Sequence, residues 1–143
     1  MRLIKFRGKS QGHMNYVFGT PHNVYGDTNQ DDKWFDSIQY IDEDGKPCTD
    51  YINSDSLSQY TGFKDKKGNE IYENDILSDF VETDEGLVKS HKRVFWNDER
   101  GSWHLDSSFK QDKTDSEDLW FELHDFEYEV SGNIFDNPNL LLP

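Results

Sequence analysis

The stretch Tyr60–Leu77 constrains this chain more than any other. Lys64 to Asn69 is polar and contains Gly68, and after it Ile71-Tyr72-Glu73-Asn74-Asp75-Ile76-Leu77 alternates apolar and polar residues. A glycine-bearing polar turn running into such a strand signal is hairpin chemistry, because tight turns need backbone conformations that side chains disfavour. Gly62 and Gly68 suit those positions, and Asp65 is placed to hydrogen-bond the turn backbone. Ile71, Ile76 and Leu77 supply core, with Asn74-Asp75 at a bend or bulge. These residues build a corner of a β-structure before they build an active site.

The rest of the chain repeats the pattern of short strand signals separated by turns. Arg2–Lys9 reads as a half-buried strand with Ile4 and Phe6 on one face and Leu3, Lys5 and Arg7 on the other. Met14–Gly19 is an apolar burst closed by Gly19, Thr20 and Pro21. Trp34–Ile41 is a strand with Asp42-Glu43-Asp44-Gly45 as the turn behind it, and Lys46–Asp50 looks like loop. Ser54–Gln59 suits a helical turn or a loop, and the pattern does not decide between them. Leu87–Trp96, a turn at Asn97–Gly101 and Ser102–Leu105 form a hairpin. Lys110–Asp118 is polar loop, and Ser116–His124 has helix-start chemistry, with an Asp or Ser cap and acids in the first turn, which favours a short helix although the segment also alternates as a strand does. Phe126, Tyr128 and Val130 then alternate against Glu127, Glu129 and Ser131, as a strand with one wet face does. Such spacing predicts a mainly β fold with little helix, a small barrel or roll in the C-terminal part. Residues 1–58 are expected to form an N-terminal β-rich region packed on or extending from a barrel domain at 59–143.

Composition narrows the function classes. The chain has 143 residues, enough for one compact domain or a small domain with an appendage. Ten Phe, seven Tyr and four Trp against two Met make the core aromatic. The lone Cys48 excludes an internal disulfide and offers no metal-ligand spacing, so a free thiol in a reducing cytoplasm is the expectation. No apolar run is long enough for a signal peptide or a membrane helix, which predicts a soluble, cytoplasmic protein. Net charge is −14, unevenly spread. Arg2, Lys5, Arg7 and Lys9 stand without an acid in residues 1–11, while residues 106–143 set ten acids against Lys110 and Lys113. An acidic chain is a poor non-specific binder of phosphate backbone, whereas opposed charged ends suit pairing within a chain or between chains.

Searches for catalytic chemistry come back thin. Asp27-Thr28-Asn29-Gln30-Asp31-Asp32 opens like a calcium loop, but Asp32 stands where glycine is required and Ile38 where the bidentate glutamate belongs. His13, His22, His91, His104 and His124 include no i,i+4 pair and no HExxH motif. The sequence lacks G-x-S-x-G, GxGxxG and a phosphate loop. Glu73 with Asp75 and Glu127 with Glu129 share a strand face at i,i+2, which suits acid/base work or, more often on an acidic chain, an exposed face. Lys64, Lys66 and Lys67, with Lys89, Lys92 and Arg93, are the ingredients of a basic patch beside aromatics. Neither a catalytic residue nor a cofactor or metal is expected.

Tyr60–Leu77 resembles the YTG(L/F)-x-D-(K/R)-x-G-x-x-I-(Y/F)-E-x-D-(I/L) block of the YopX-like family of phage and prophage proteins. The opening Ile4-Lys5-Phe6-Arg7 is similar to the family's IKFR, and Val94-Phe95-Trp96 sits where the family carries its V-x-W strand. Tyr128–Leu141 resembles the ending (Y)EV-x-GNI-(Y/F)-x-NP-x-L. Asn74 stands where the family often has glycine, so the bend must tolerate a side chain, as asparagine does at positive φ. Residues 12–58 and 106–124 carry no motif. The resemblance implies an SH3-like barrel in the C-terminal part and a phage-encoded origin, and it supplies no reaction.

The expectation for function is therefore a non-enzymatic accessory protein working by contact with a host or phage protein or with further copies of itself. Its candidate contact residues are Glu122, Asp125, Glu127 and Glu129. The alternative is a regulator of nucleic-acid transactions, using Lys64, Lys66 and Lys67 directly or the carboxylates as a phosphate mimic. No membrane role is expected.

Overall fold

The computed structural model describes residues 2–23, 35–107 and 115–141, so the calcium-like loop and Trp34 lie outside the described residues. The chain divides into two compact units, Met1–Tyr60 and Thr61–Pro143. The mainly β class is what the structure shows.

Unit 1 is built from β1 (Phe6–Lys9), β2 (Tyr16–His22), β3 (Ser37–Ile41) and β4 (Pro47–Tyr51), paired antiparallel in sequence order. A 3₁₀ turn at Ser54–Ser56 follows, capped by the Asn53 side chain. It leads into β5 (Ser58–Lys64), whose first residues pair with β1. Lys46–Asp50 is thus largely strand rather than loop. Pro47 can open it because it is the first residue of an edge strand, where its missing N–H removes no ladder bond. Asp42 closes the preceding turn by accepting the N–H groups of Asp44 and Lys46. The core of this unit is Val17, Ile38 and Ile52, with Tyr40 and Leu57 against them. It sits on Gly8, where an added Cβ would come within 2.7 Å of Ile52 Cδ1. That placement corrects the expected strand: β1 begins at Phe6, and Ile4 is exposed, because the core gathers on the glycine instead of on Ile4.

Unit 2 continues β5 into β6 (Glu70–Tyr72), β7 (Asp75–Thr83), β8 (Gly86–Asn97), β9 (Ser102–Asp106), β10 (Glu117–Asp118), the helix α1 (Leu119–Asp125) and β11 (Glu129–Asn133). An antiparallel sheet runs in the order β10-β9-β8-β7-β11. It is open rather than a closed barrel, since β10 and β11 are its two edges. At the β10 edge the chain turns into α1, and Leu119 enters the core. Ile71, Leu77, Val94, Leu105, Leu119 and Tyr128 form that core, flanked by Phe63, Trp103, Leu123 and Val130. The β8–β9 hairpin falls where the sequence predicts it, and its cross-strand Trp96 and Trp103 meet edge to face at 5.0 Å. His104 is buried between Ser116 and Ser102 hydroxyls at 2.8 and 3.0 Å. Burial lowers its pKa against the pull of Asp118, so it serves as a neutral packing group.

Gly19 in β2 is the tightest backbone approach of unit 1, because an added Cβ would overlap the Gln39 carbonyl oxygen of β3. Backbone, unlike a side-chain tip, cannot rotate out of the way. Gly19→Ala is expected to destabilise the protein by about 1–3 kcal/mol, read as a lowered urea midpoint at unchanged slope.

Candidate functional site

The turn between β5 and β6 is organised by one side chain. Asp65 Oδ1 accepts the backbone N–H of Lys67 at 2.9 Å and of Asn69 at 2.8 Å, and Oδ2 accepts the Asn69 side-chain amide at 3.0 Å. Gly68, at φ 86°, completes the turn. Asp65 Oδ2 also accepts the backbone N–H of Val130 at 2.9 Å, across 65 residues of sequence, and the Lys66 N–H donates to the Tyr128 carbonyl. The turn is therefore stitched to the approach of β11. Burial pushes the Asp65 carboxyl up, and the hydrogen bonds from Val130, Asn69 and Lys67 outweigh it, holding it below the ordinary aspartate range.

This stitching brings the predicted basic and acidic residues together. Lys66 Nζ lies 3.4 Å from Glu129 and 3.9 Å from Glu127, and Lys67 Nζ lies 3.4 Å from Glu129. Partial burial works to raise the Glu129 carboxyl, but Lys67 and Lys66 hold it below its usual range. Glu122 points elsewhere: it accepts from the Tyr128 hydroxyl at 2.9 Å and meets Lys92 Nζ at 3.3 Å. Lys92 also reaches Glu117 at 3.2 Å and stands over the Tyr128 ring. Burial and the bond to Glu122 push the Tyr128 phenol up to about 12, against Lys92. Lys92 and Arg93, grouped with the turn lysines in the sequence reading, thus lie elsewhere. Lys92 serves the Glu117–Glu122–Tyr128 cluster, and Arg93 donates to Asn74 Oδ1 at 2.8 Å.

A cleft of about 460 Å³ opens between the turn and the segment from α1 to β11, lined among others by Lys64, Lys66, Leu123, Asp125, Phe126 and Glu127. Asp125 and Glu127 are exposed on its rim. α1 is positioned by Asp118, whose carboxylate accepts the N–H groups of Trp120 and Phe121, and by Leu119 in the core. Three large rings of this segment stand in solvent: Phe126, which lines the cleft, at 51% exposure, and Trp120 at 51% and Phe121 at 61% on α1. Trp120 stacks on His124 one turn later, with rings 5.2 Å apart and 7° from parallel. The sequence reading missed these rings as surface features. The signal was there in Trp120-Phe121 beside Leu119 and Leu123, since a helix burying the two leucines must turn the intervening rings outward.

The acidic pairs do not assemble a reaction centre with each other. Asp75 is buried and accepts the Tyr72 N–H at 2.8 Å, and Glu129 is committed to the two lysines. Among the described residues no group of three or more His, Cys, Asp or Glu gathers in metal-binding geometry. Nor is any described helix long and apolar enough to cross a membrane.

The family model described as YopX protein matches residues 5–142. A solved structure, protein EF1440 from Enterococcus faecalis, is similar in fold, with a TM-score of 0.59 at 24% identity, covering 99% of each chain. No curated protein matches the chain.

Because the folded Asp65 carboxyl titrates below its unfolded value, its contribution is complete above the ordinary aspartate range and is lost as pH falls through the folded value. Asp65→Asn is expected to cost roughly 2–3 kcal/mol at neutral pH. The difference between wild type and D65N should shrink as pH drops below about 4, read from urea unfolding midpoints across pH.

Proposed function

The chain belongs to the YopX protein family, and on that footing we propose that it is a non-enzymatic, phage- or prophage-encoded accessory protein that acts in the host cytoplasm by binding another protein. The contact is the face made by Trp120, Phe121 and Phe126 with Asp125 and Glu127. One observation carries this reading: three large aromatic rings, Trp120 and Phe121 on α1 and Phe126 on the cleft wall, are left more than half exposed. Large rings in water are costly to leave uncovered, and aromatic anchors ringed by charge are what protein interfaces use. The carboxylates Asp125 and Glu127 select a partner surface bearing lysine or arginine. Of the carboxylates expected to serve, Glu122 and Glu129 already hold Tyr128, Lys92 and the turn lysines, so they position the face rather than greet a partner. The nucleic-acid reading has less behind it, since Lys66 and Lys67 are matched by Glu127 and Glu129, which leaves Lys64 as the turn cation with no ion pair among the described residues.

The test is capture from nuclease-treated host lysate, followed by binding measurements with the purified partner. Trp120→Ala and Phe126→Ala are each expected to weaken binding about tenfold or more while leaving the thermal midpoint in place. Asp125→Asn with Glu127→Gln should slow association and flatten its salt dependence. A catch that vanishes with nuclease, or a partner indifferent to all four substitutions, would overturn the proposal.

A further inference from the structure

Beyond Ser78 the β7–β8 hairpin leaves the sheet. β11 pairs with β7 only as far as Ser78, and β9 pairs with β8 only from Arg93 onward. What projects is an arm, Asp79–Thr83 paired with Gly86–Ser90, whose outer strand edges pair with no other strand among the described residues. Its tip is well formed: Thr83 Oγ1 donates to the Gly86 carbonyl at 2.9 Å and accepts the Glu85 N–H at 3.2 Å. Yet the arm is apolar where a projecting hairpin should be polar. Leu87 is 72% exposed and Phe80 61%, with Val81 and Val88 half in solvent on the opposite face.

The register fixes how these side chains are arranged. Phe80 stands opposite Lys89, and Glu82 opposite Leu87, all four on one face. The apolar pair therefore occupies one diagonal of the patch and the charged pair the other. Such a patch is its own complement. A two-fold axis laid along the apolar diagonal crosses two arms near a right angle and sets Phe80 on Phe80 and Leu87 on Leu87. The same operation sets each Glu82 against the second copy's Lys89, twice over.

We infer that the Asp79–Ser90 arm is a self-association surface whose occupant is the arm of a second copy of this chain. The inference is independent of the α1 face and stands or falls without it. An arm-on-arm crossing is small beside the roughly 1,200–2,000 Å² of a standard interface, so the dimer is reversible and concentration-dependent.

Sedimentation equilibrium of the full chain tests it. Wild type is expected to show a monomer–dimer equilibrium that weakens with salt. Phe80→Ser with Leu87→Ser should weaken the dimer at least about tenfold. E82K alone and K89E alone place like charges against each other and should each weaken it, whereas E82K with K89E restores opposite charges and should recover it. Circular dichroism checks that each variant is folded. If the double serine variant unfolds, the charge exchange decides alone, since it alters no apolar group. A chain that stays monomeric at its highest soluble concentration overturns the inference. So does a dimer indifferent to arm substitutions, or one that single exchanges weaken and the double exchange fails to restore.

Discussion

Asp65 accepts four hydrogen bonds, three from its own turn and one from Val130 in β11, and the layout of unit 2 depends on that carboxylate. The three local bonds replace what a turn cannot satisfy by strand pairing. The fourth fixes where β11 starts, and with it the register in which Glu129 and Val130 meet Ser78 and Leu77. From that register Tyr128 enters the core and hands its hydroxyl to Glu122, which in turn holds Lys92. The cleft, its lysines and its acidic rim are consequences of the same bond. Asparagine at this position keeps one acceptor oxygen, enough for the turn N–H groups or for Val130 but not for both, which is why the substitution acts at a distance.

Charge in this unit organises the surface more than it stabilises it. Exposed pairs such as Lys66–Glu127 and Lys67–Glu129 are screened by water and add little to stability. What they do is cancel the charge of the turn lysines locally, so that this corner is close to balanced in a chain with net charge −14. The partly buried Lys92 differs: with Glu117, Glu122 and Tyr128 around it, it joins β8 to α1 and fixes the direction in which the rings of α1 face.

Much of this fold is written locally, and those parts are legible in the sequence. Asn74 takes φ 71° between β6 and β7, the conformation expected of a residue standing where glycine is common. Asp65 closes its turn, the Trp96–Trp103 hairpin forms, and Asn133 accepts the N–H groups of Phe135 and Asp136 in the closing Gly-Asn turn. What the sequence conceals are choices made by distant partners. Pro47 reads as a loop residue until the edge position of β4 excuses its missing N–H. Ile4 reads as core until Gly8 is seen to draw Ile38 and Ile52 instead. Lys66 and Lys67 read as solvated turn lysines or a basic patch, because nothing near them in sequence announces Glu127 and Glu129.

The two exposed apolar surfaces of unit 2 differ in how they are held, and this sets what each can do. A seven-residue helix such as α1 is unstable alone, and it persists because Asp118 caps it and Leu119 and Leu123 anchor it on the core. Its aromatic rings, with Trp120 stacked on His124, are therefore fixed before any partner arrives. Binding there loses little conformational entropy. The arm has only its own ladder and its tip, so docking must also order what it touches. For equal area covered, a partner on the α1 face would be held more tightly than one on the arm. On the two proposals together, the α1 face would hold one partner firmly while contact through the arm would respond to concentration and salt.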